Sequence, residues 1–154
     1  MKRLHLHVSV DDLAKSIDFY SVLFGVRPAV EKPDYAKWML DDPYVNFAIS
    51  QRGAKAGLDH VGIQVDNTDE LDEIKTRLDA ADMRIVSQQG ATCCYAKSDK
   101  HWVVDPSGIA WETYHTLDSA PTFNDVNEHS SSACCTPTVQ NLQNVQLVSR
   151  KVKS

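Results

Sequence analysis

An α+β fold, made of two βαβββ modules around one cleft and followed by a polar tail, is what this sequence predicts. Three observations predict it. The first is an internal duplication: a shift of 55 residues lays His5-Leu6-His7-Val8-Ser9-Val10-Asp11 over His60-Val61-Gly62-Ile63-Gln64-Val65-Asp66, with apolar residues alternating in phase. The second is that each copy is followed by one amphipathic helical stretch and three short strand candidates. The third is size. The 154 residues, 42% of them hydrophobic, suit one small domain, and a module of under about 60 residues cannot hide its sheet alone, so the two must pack together.

The opening segment of each module alternates with period two and reads as a half-buried strand. In the first module a helix runs from about Asp12 to Phe24, with Leu13, Ile17, Tyr20, Leu23 and Phe24 on one face and Gly25 as its stop. In the second, Asn67 or Thr68 caps a helix carrying Leu71, Ile74, Leu78 and Ala81, and Asp69 and Glu70 complement its positive end. Strands are expected near Pro28 to Glu31, Tyr35 to Leu40 and Val45 to Ser50, then Arg84 to Gln88, His101 to Val104 and Ile109 to His115. The Asp42-Pro43 and Asp105-Pro106-Ser107-Gly108 turns precede the last strand of each module. The modules therefore cover about 1–57 and 58–117, with a linker around Gln51 to Gly57.

From Asp118 onward there is no glycine, one aromatic (Phe123) and the run Ser130-Ser131-Ser132, which reads as a flexible tail over 118–154. Leu142, Val145, Val148 and Val152 would suit a short helix within it. The 16 basic residues against 21 acidic ones make a net charge of −5, which offers no footprint for nucleic acid. No apolar run is long enough for a membrane span or a signal peptide, so a cytoplasmic protein is expected.

Strand parity selects a candidate metal site. Leu4, Leu6, Val8 and Val10 share the face that packs on a helix, which turns His5 and His7 to the other face. His60 takes the same orientation in the repeat. If Trp111 covers the helix layer, Glu112 faces the cavity with them. His5, His60 and Glu112 are two imidazoles and one carboxylate, a set that holds a divalent ion while leaving positions open. His7 has Gly62 as its repeat counterpart and reads as a neighbouring cavity residue. The position equivalent to Glu112 in the first module is Ala48, so no second acid closes the site, and an open catalytic centre is favoured over a structural zinc.

Four cysteines occur as adjacent pairs, Cys93-Cys94 and Cys134-Cys135. Adjacent cysteines are poor disulfide partners, because the small ring strains the peptide between them. Side-by-side thiolates can instead chelate a soft thiophilic centre such as trivalent arsenic. Cys134-Cys135, in the tail, reads as an accessory pair.

These residues resemble the vicinal oxygen chelate superfamily, which includes glyoxalase I, extradiol dioxygenases and fosfomycin resistance proteins. His5, Val10, Asp12-Leu13, Ser16 and Phe19-Tyr20 look like its opening signature, and Leu58-Asp59-His60-Val61-Gly62 like the start of its second module. Cys93-Cys94-Tyr95-Ala96, Asp99-Lys100-His101-Trp102-Val103 and Asp105-Pro106-Ser107-Gly108 resemble one branch more narrowly, the ArsI-type carbon–arsenic lyases with their cadmium-induced CadI-like relatives. The resemblance covers roughly residues 3 to 117. It implies a non-haem Fe(II) centre on His5, His60 and Glu112, with dioxygen as co-substrate. A trivalent organoarsenical would be held by Cys93 and Cys94, with Tyr95, Lys100, Trp102 and Tyr114 as further cavity contacts. Cleavage of the carbon–arsenic bond to arsenite would follow, in a monomer or homodimer. The competing readings are a glyoxalase-like isomerase or thiol transferase, which would leave Cys93-Cys94 without a use, and a cadmium- or arsenic-sequestering protein.

Overall fold

Asp12 starts the first helix by accepting a hydrogen bond from the Lys15 amide, and Gly25, at φ 70°, ends it in the left-handed conformation. The computed structural model describes residues 1–122. The remainder of the expected tail, with its short helix and Cys134-Cys135, lies outside the described residues. The elements are β1 (Arg3–Ser9), α1 (Leu13–Phe24), β2 (Val30–Lys32), β3 (Tyr35–Asp41), β4 (Tyr44–Ser50), β5 (Gly57–Val65), α2 (Thr68–Ala80), β6 (Val86–Cys93), β7 (Ala96–Val104) and β8 (Ala110–Ser119). The order βαβββ occurs twice.

The eight strands among the described residues form one curled sheet in the order β2-β3-β4-β1-β5-β8-β7-β6. Each module makes the same parallel pair, β1 with β4 and β5 with β8. The modules join where β1 and β5 run antiparallel, with His7 opposite His60. One sheet face carries the helices. Leu13 and Ile17 of α1 pack on Trp38, Leu40, Phe47 and Ile49, while Leu71 and Ile74 of α2 pack on Val65. The opposite, concave face holds what the alternation leaves over.

Two expectations need correcting. Leu23 is 62% exposed rather than part of the α1 stripe. At 100° per residue it falls roughly 80° from Leu13, while Ile17, Tyr20 and Phe24 fall within about 40° of it. The β6–β7 hairpin is also longer than expected: β6 continues to Cys93 and β7 begins at Ala96. Its polar residues, such as Gln88, Gln89, Lys97 and Asp99, carry no apolar alternation to announce a strand. Cys94 and Tyr95 form the two-residue connection, with φ of 54° and 61°. Positive φ at both central positions is what a type I′ hairpin turn demands, and it is rare outside Gly, Asn and Asp.

Gly62 lets β5 and β8 approach closely. A Cβ at this position would stand 2.2 Å from the Glu112 carbonyl oxygen and 3.2 Å from Glu112 Cβ. Gly62→Ala is therefore expected to push the two strands apart and destabilise the protein by about 1–3 kcal/mol. Chemical denaturation checks this, and an unchanged midpoint would contradict it.

Candidate active site

Neighbouring strands turn His5, His60 and Glu112 onto the concave face, and their environments aim them at one point. His5 Nδ1–H donates to the Asn46 carbonyl at 3.1 Å. A carbonyl only accepts, so the Nε2 of neutral His5 keeps its lone pair. His60 Nδ1–H donates to Asp59 Oδ1 at 2.6 Å, again leaving Nε2 toward the cavity. The two Nε2 atoms lie 3.2 Å apart, and Glu112 Oε2 lies 3.7 Å from that of His5 and 3.5 Å from that of His60. Donors bonded to a divalent ion at about 2.0–2.2 Å, 90–110° apart, are separated by about 3.0–3.5 Å. Two imidazoles and one carboxylate thus fit an ion with little adjustment. A second group of donors, His5, His7 and His60, has its ligand atoms all within 4.8 Å of one another. The set with Glu112 has separations of 3.2, 3.5 and 3.7 Å and brings a negative charge.

Lys100 completes the polar cluster. Its Nζ lies 2.6 Å from Glu112 Oε1, and both side chains are buried. The ion pair holds the carboxylate in one orientation and leaves Oε2 toward the imidazoles. Burial pushes the Glu112 carboxyl up, but Lys100 and His60 outweigh it and hold it well below the usual carboxylate range. Burial and the neighbouring His60 lower His5 to about 4. Burial would lower His60 as well, yet its bonds to Asp59 and Glu112 raise it to about 9. A proton on His60 therefore supplies positive charge at the place where a metal cation would.

Other expected residues fall into two groups. The cleft, about 470 Å³ of empty space with its mouth included, is lined by the three donors together with Cys93, Cys94, Lys100, Trp102 and Tyr114. Trp102 is fully buried with its ring edge-on to His60, and Tyr114 stands edge-on to His5. Tyr95 does not line the cleft: its hydroxyl donates to Asp34 Oδ1 at 2.5 Å, and its ring packs on Tyr35. Cys93 is disulfide-bonded, where two thiols were expected. The Sγ of Cys94 lies in contact with that of Cys93 at 3.2 Å, beyond the reach of an S–S bond between the two.

Three residues at the site escaped the sequence reading. Asp59, beside His60, was readable as an acid adjacent to a candidate ligand. Asn46 and Lys37 were not, because only the β1–β4 pairing brings Asn46 beside His5 and only the β3–β4 pairing brings Lys37 to the cleft.

Residues 2–113 match the family model described as the glyoxalase/bleomycin resistance protein/dioxygenase superfamily. The chain belongs to this superfamily. A superfamily relative, the trivalent organoarsenical cleaving enzyme of Bacillus sp. (strain MD1), is 42% identical over 151 residues, covering 90% of this chain and 92% of its own. The cadmium-induced protein CadI of Mycobacterium tuberculosis (strain ATCC 25618 / H37Rv) is 36% identical over 142 residues, covering 88% and 93%. Among solved structures, the E323L mutant of homoprotocatechuate 2,3-dioxygenase from Brevibacterium fuscum superposes with a TM-score of 0.59 at 19% identity. It covers 78% of this chain and 33% of its own, and shows a shared fold. No helix among the described residues is long and apolar enough to cross a membrane.

Proposed function

We propose that this protein cleaves the carbon–arsenic bond of trivalent organoarsenicals, using Fe(II) and dioxygen, to release arsenite. The observation that carries this reading is the opening of Cys93 and Cys94 onto the same cleft as His5, His60 and Glu112. A soft, thiophilic binding element and a hard, open metal-donor set have little reason to share one cavity unless the substrate bridges them. For the methyl compound the chemistry balances: CH3As(OH)2 and O2 give As(OH)3 and formaldehyde, with arsenic remaining trivalent and carbon losing four electrons to dioxygen.

His5, His60 and Glu112 would hold the ion. Bound there, Fe(II) supplies the activation of dioxygen and the redox chemistry of carbon–arsenic cleavage. Reduced Cys93 and Cys94 bind arsenic through sulfur and fix the organic substituent within the cleft. Lys100 keeps Glu112 ionised and oriented. Trp102 and Tyr114 wall the donors from water and hold the two imidazole rings. Because Cys93 is disulfide-bonded, capture of arsenic by both thiols requires a reductant.

The test is anaerobic loading of the reduced protein with Fe(II), addition of methylarsenite or a trivalent aryl arsenical, then oxygen. Arsenite should form in the presence of a thiol reductant and fall to background when the protein has not been reduced. Failure of the reduced, Fe(II)-loaded protein to form arsenite would overturn the reading.

A further inference from the structure

His7 is the buried donor that the proposed centre leaves unused. It is fully inaccessible, its Nε2 lies 2.9 Å from Ser50 Oγ, and its Nδ1 is buried with no partner among the described residues. A buried ring nitrogen without a partner forfeits a hydrogen bond that water would have provided. It calls for a ligand.

The two modules explain why the donor sits at this place. In the second module Gly62 of β5 stands beside Glu112 of β8, and in the first the equivalent neighbours are His7 of β1 and Ala48 of β4. Gly62 has no room for a side chain because β8 approaches it. The first module reverses the arrangement: the large donor is on the opening strand and the small residue on the last one. The equivalent row of each module thus carries one donor, on the opening strand in the first module and on the last strand in the second.

All three histidines are anchored through one ring nitrogen, Nδ1 in His5 and His60 and Nε2 in His7. One ring nitrogen of each is engaged, by the Asn46 carbonyl for His5, Asp59 for His60 and Ser50 for His7. Metal-ligating histidines have this arrangement, with the other nitrogen left for the ion. Each of the three offers a ligand atom within 4.8 Å of the others. Donors on opposite sides of an ion, bonded at about 2.1 Å, stand about 4.2 Å apart.

We infer that His7 is a fourth ligand of the proposed ion through Nδ1, so that the centre is built from three imidazoles and one carboxylate. This rests on the metal-site reading above and extends it. Four protein donors still leave two positions of a six-coordinate ion open, so the substrate class is unchanged. What changes is ion retention and the count of imidazoles around it.

Proton NMR of the Co(II)-loaded protein, with histidine labelled by nitrogen-15, tests this without turnover. Each ligating imidazole contributes one strongly shifted, exchangeable N–H signal, from its anchored nitrogen. Three such signals are expected in the wild type and two in His7→Gln, whose amide can still meet Ser50. The Kd for Co(II) should rise about 10- to 100-fold in that variant. Two signals in the wild type would overturn the inference, and so would an unchanged Kd in a folded His7→Gln protein. The wild-type count needs no variant, so a His7→Gln chain that fails to fold leaves the test intact. His60→Ala separates the two readings. Loss of Co(II) binding there with only two wild-type signals removes His7 and keeps the proposed centre, whereas retained binding removes both.

Discussion

Replacing Lys100 by methionine is expected to destabilise the metal-free protein by about 3–5 kcal/mol, because it leaves the buried Glu112 carboxylate without its closest cation. The two side chains are 4% and 6% exposed, so water cannot take over the solvation that Lys100 provides. The sign of the pH dependence follows. Glu112 is held below its ordinary 4.5, so its ionised form stabilises the fold above the unfolded-state value, and that contribution fades as pH falls through the folded one. The gap in Tm between wild type and Lys100→Met should therefore be widest near neutral pH, on the order of 10 °C, and narrow below about pH 4.5. Calorimetry across this range measures it. A gap that widens toward acid would contradict the assignment of Lys100 as the partner that keeps Glu112 ionised.

Cys94→Ser is expected to lower arsenite formation by about 10²-fold or more while leaving Fe(II) binding unchanged. The oxygen that replaces Sγ is nearly isosteric but hard, and it loses the soft affinity for trivalent arsenic. Without that tether the substituent is no longer fixed in the cleft, and positioning is worth several kcal/mol in a bimolecular reaction. Lys37 shares the cleft with Cys94, and burial lowers its ammonium below the usual lysine value. Parallel measurements of arsenite by chromatography and of iron content separate loss of the thiol from loss of the metal. Full turnover in Cys94→Ser would exclude a thiol role for this residue, and loss of iron would place it at the metal instead.

Much of this architecture was legible because duplication and alternation are both visible in one dimension. Laying His5 over His60 placed two strands in equivalent positions, and parity turned both imidazoles to one face, where their Nε2 atoms lie 3.2 Å apart. The equivalence of Ala48 and Glu112 reappears in the strand register, as His7 beside Ala48 and Gly62 beside Glu112. Three features were not legible. The β6–β7 hairpin is polar along both strands, since one face lines a polar cleft and the other is partly solvated, so no alternation marks it. The role of Lys100 depends on Glu112 being its neighbour across the β7–β8 pair, a contact between strands rather than a motif. His7 has glycine as its counterpart, so the duplication gives it no partner role. Only the pairing of β1 with β4 shows that its row carries the donor on the opening strand, whereas the equivalent row of the second module carries Glu112 on the last.

The central claim is that arsenic held by Cys93 and Cys94 places its organic substituent beside the metal donors. Fluorine-19 NMR of 4-fluorophenylarsenite on the anaerobic, reduced protein measures this directly, with Mn(II) in place of iron so that no turnover occurs. The account predicts a bound fluorine signal that is sharp without metal and broadened beyond detection by Mn(II), with the broadening lost in Cys94→Ser. A signal that stays sharp in the Mn(II)-loaded wild type would contradict it.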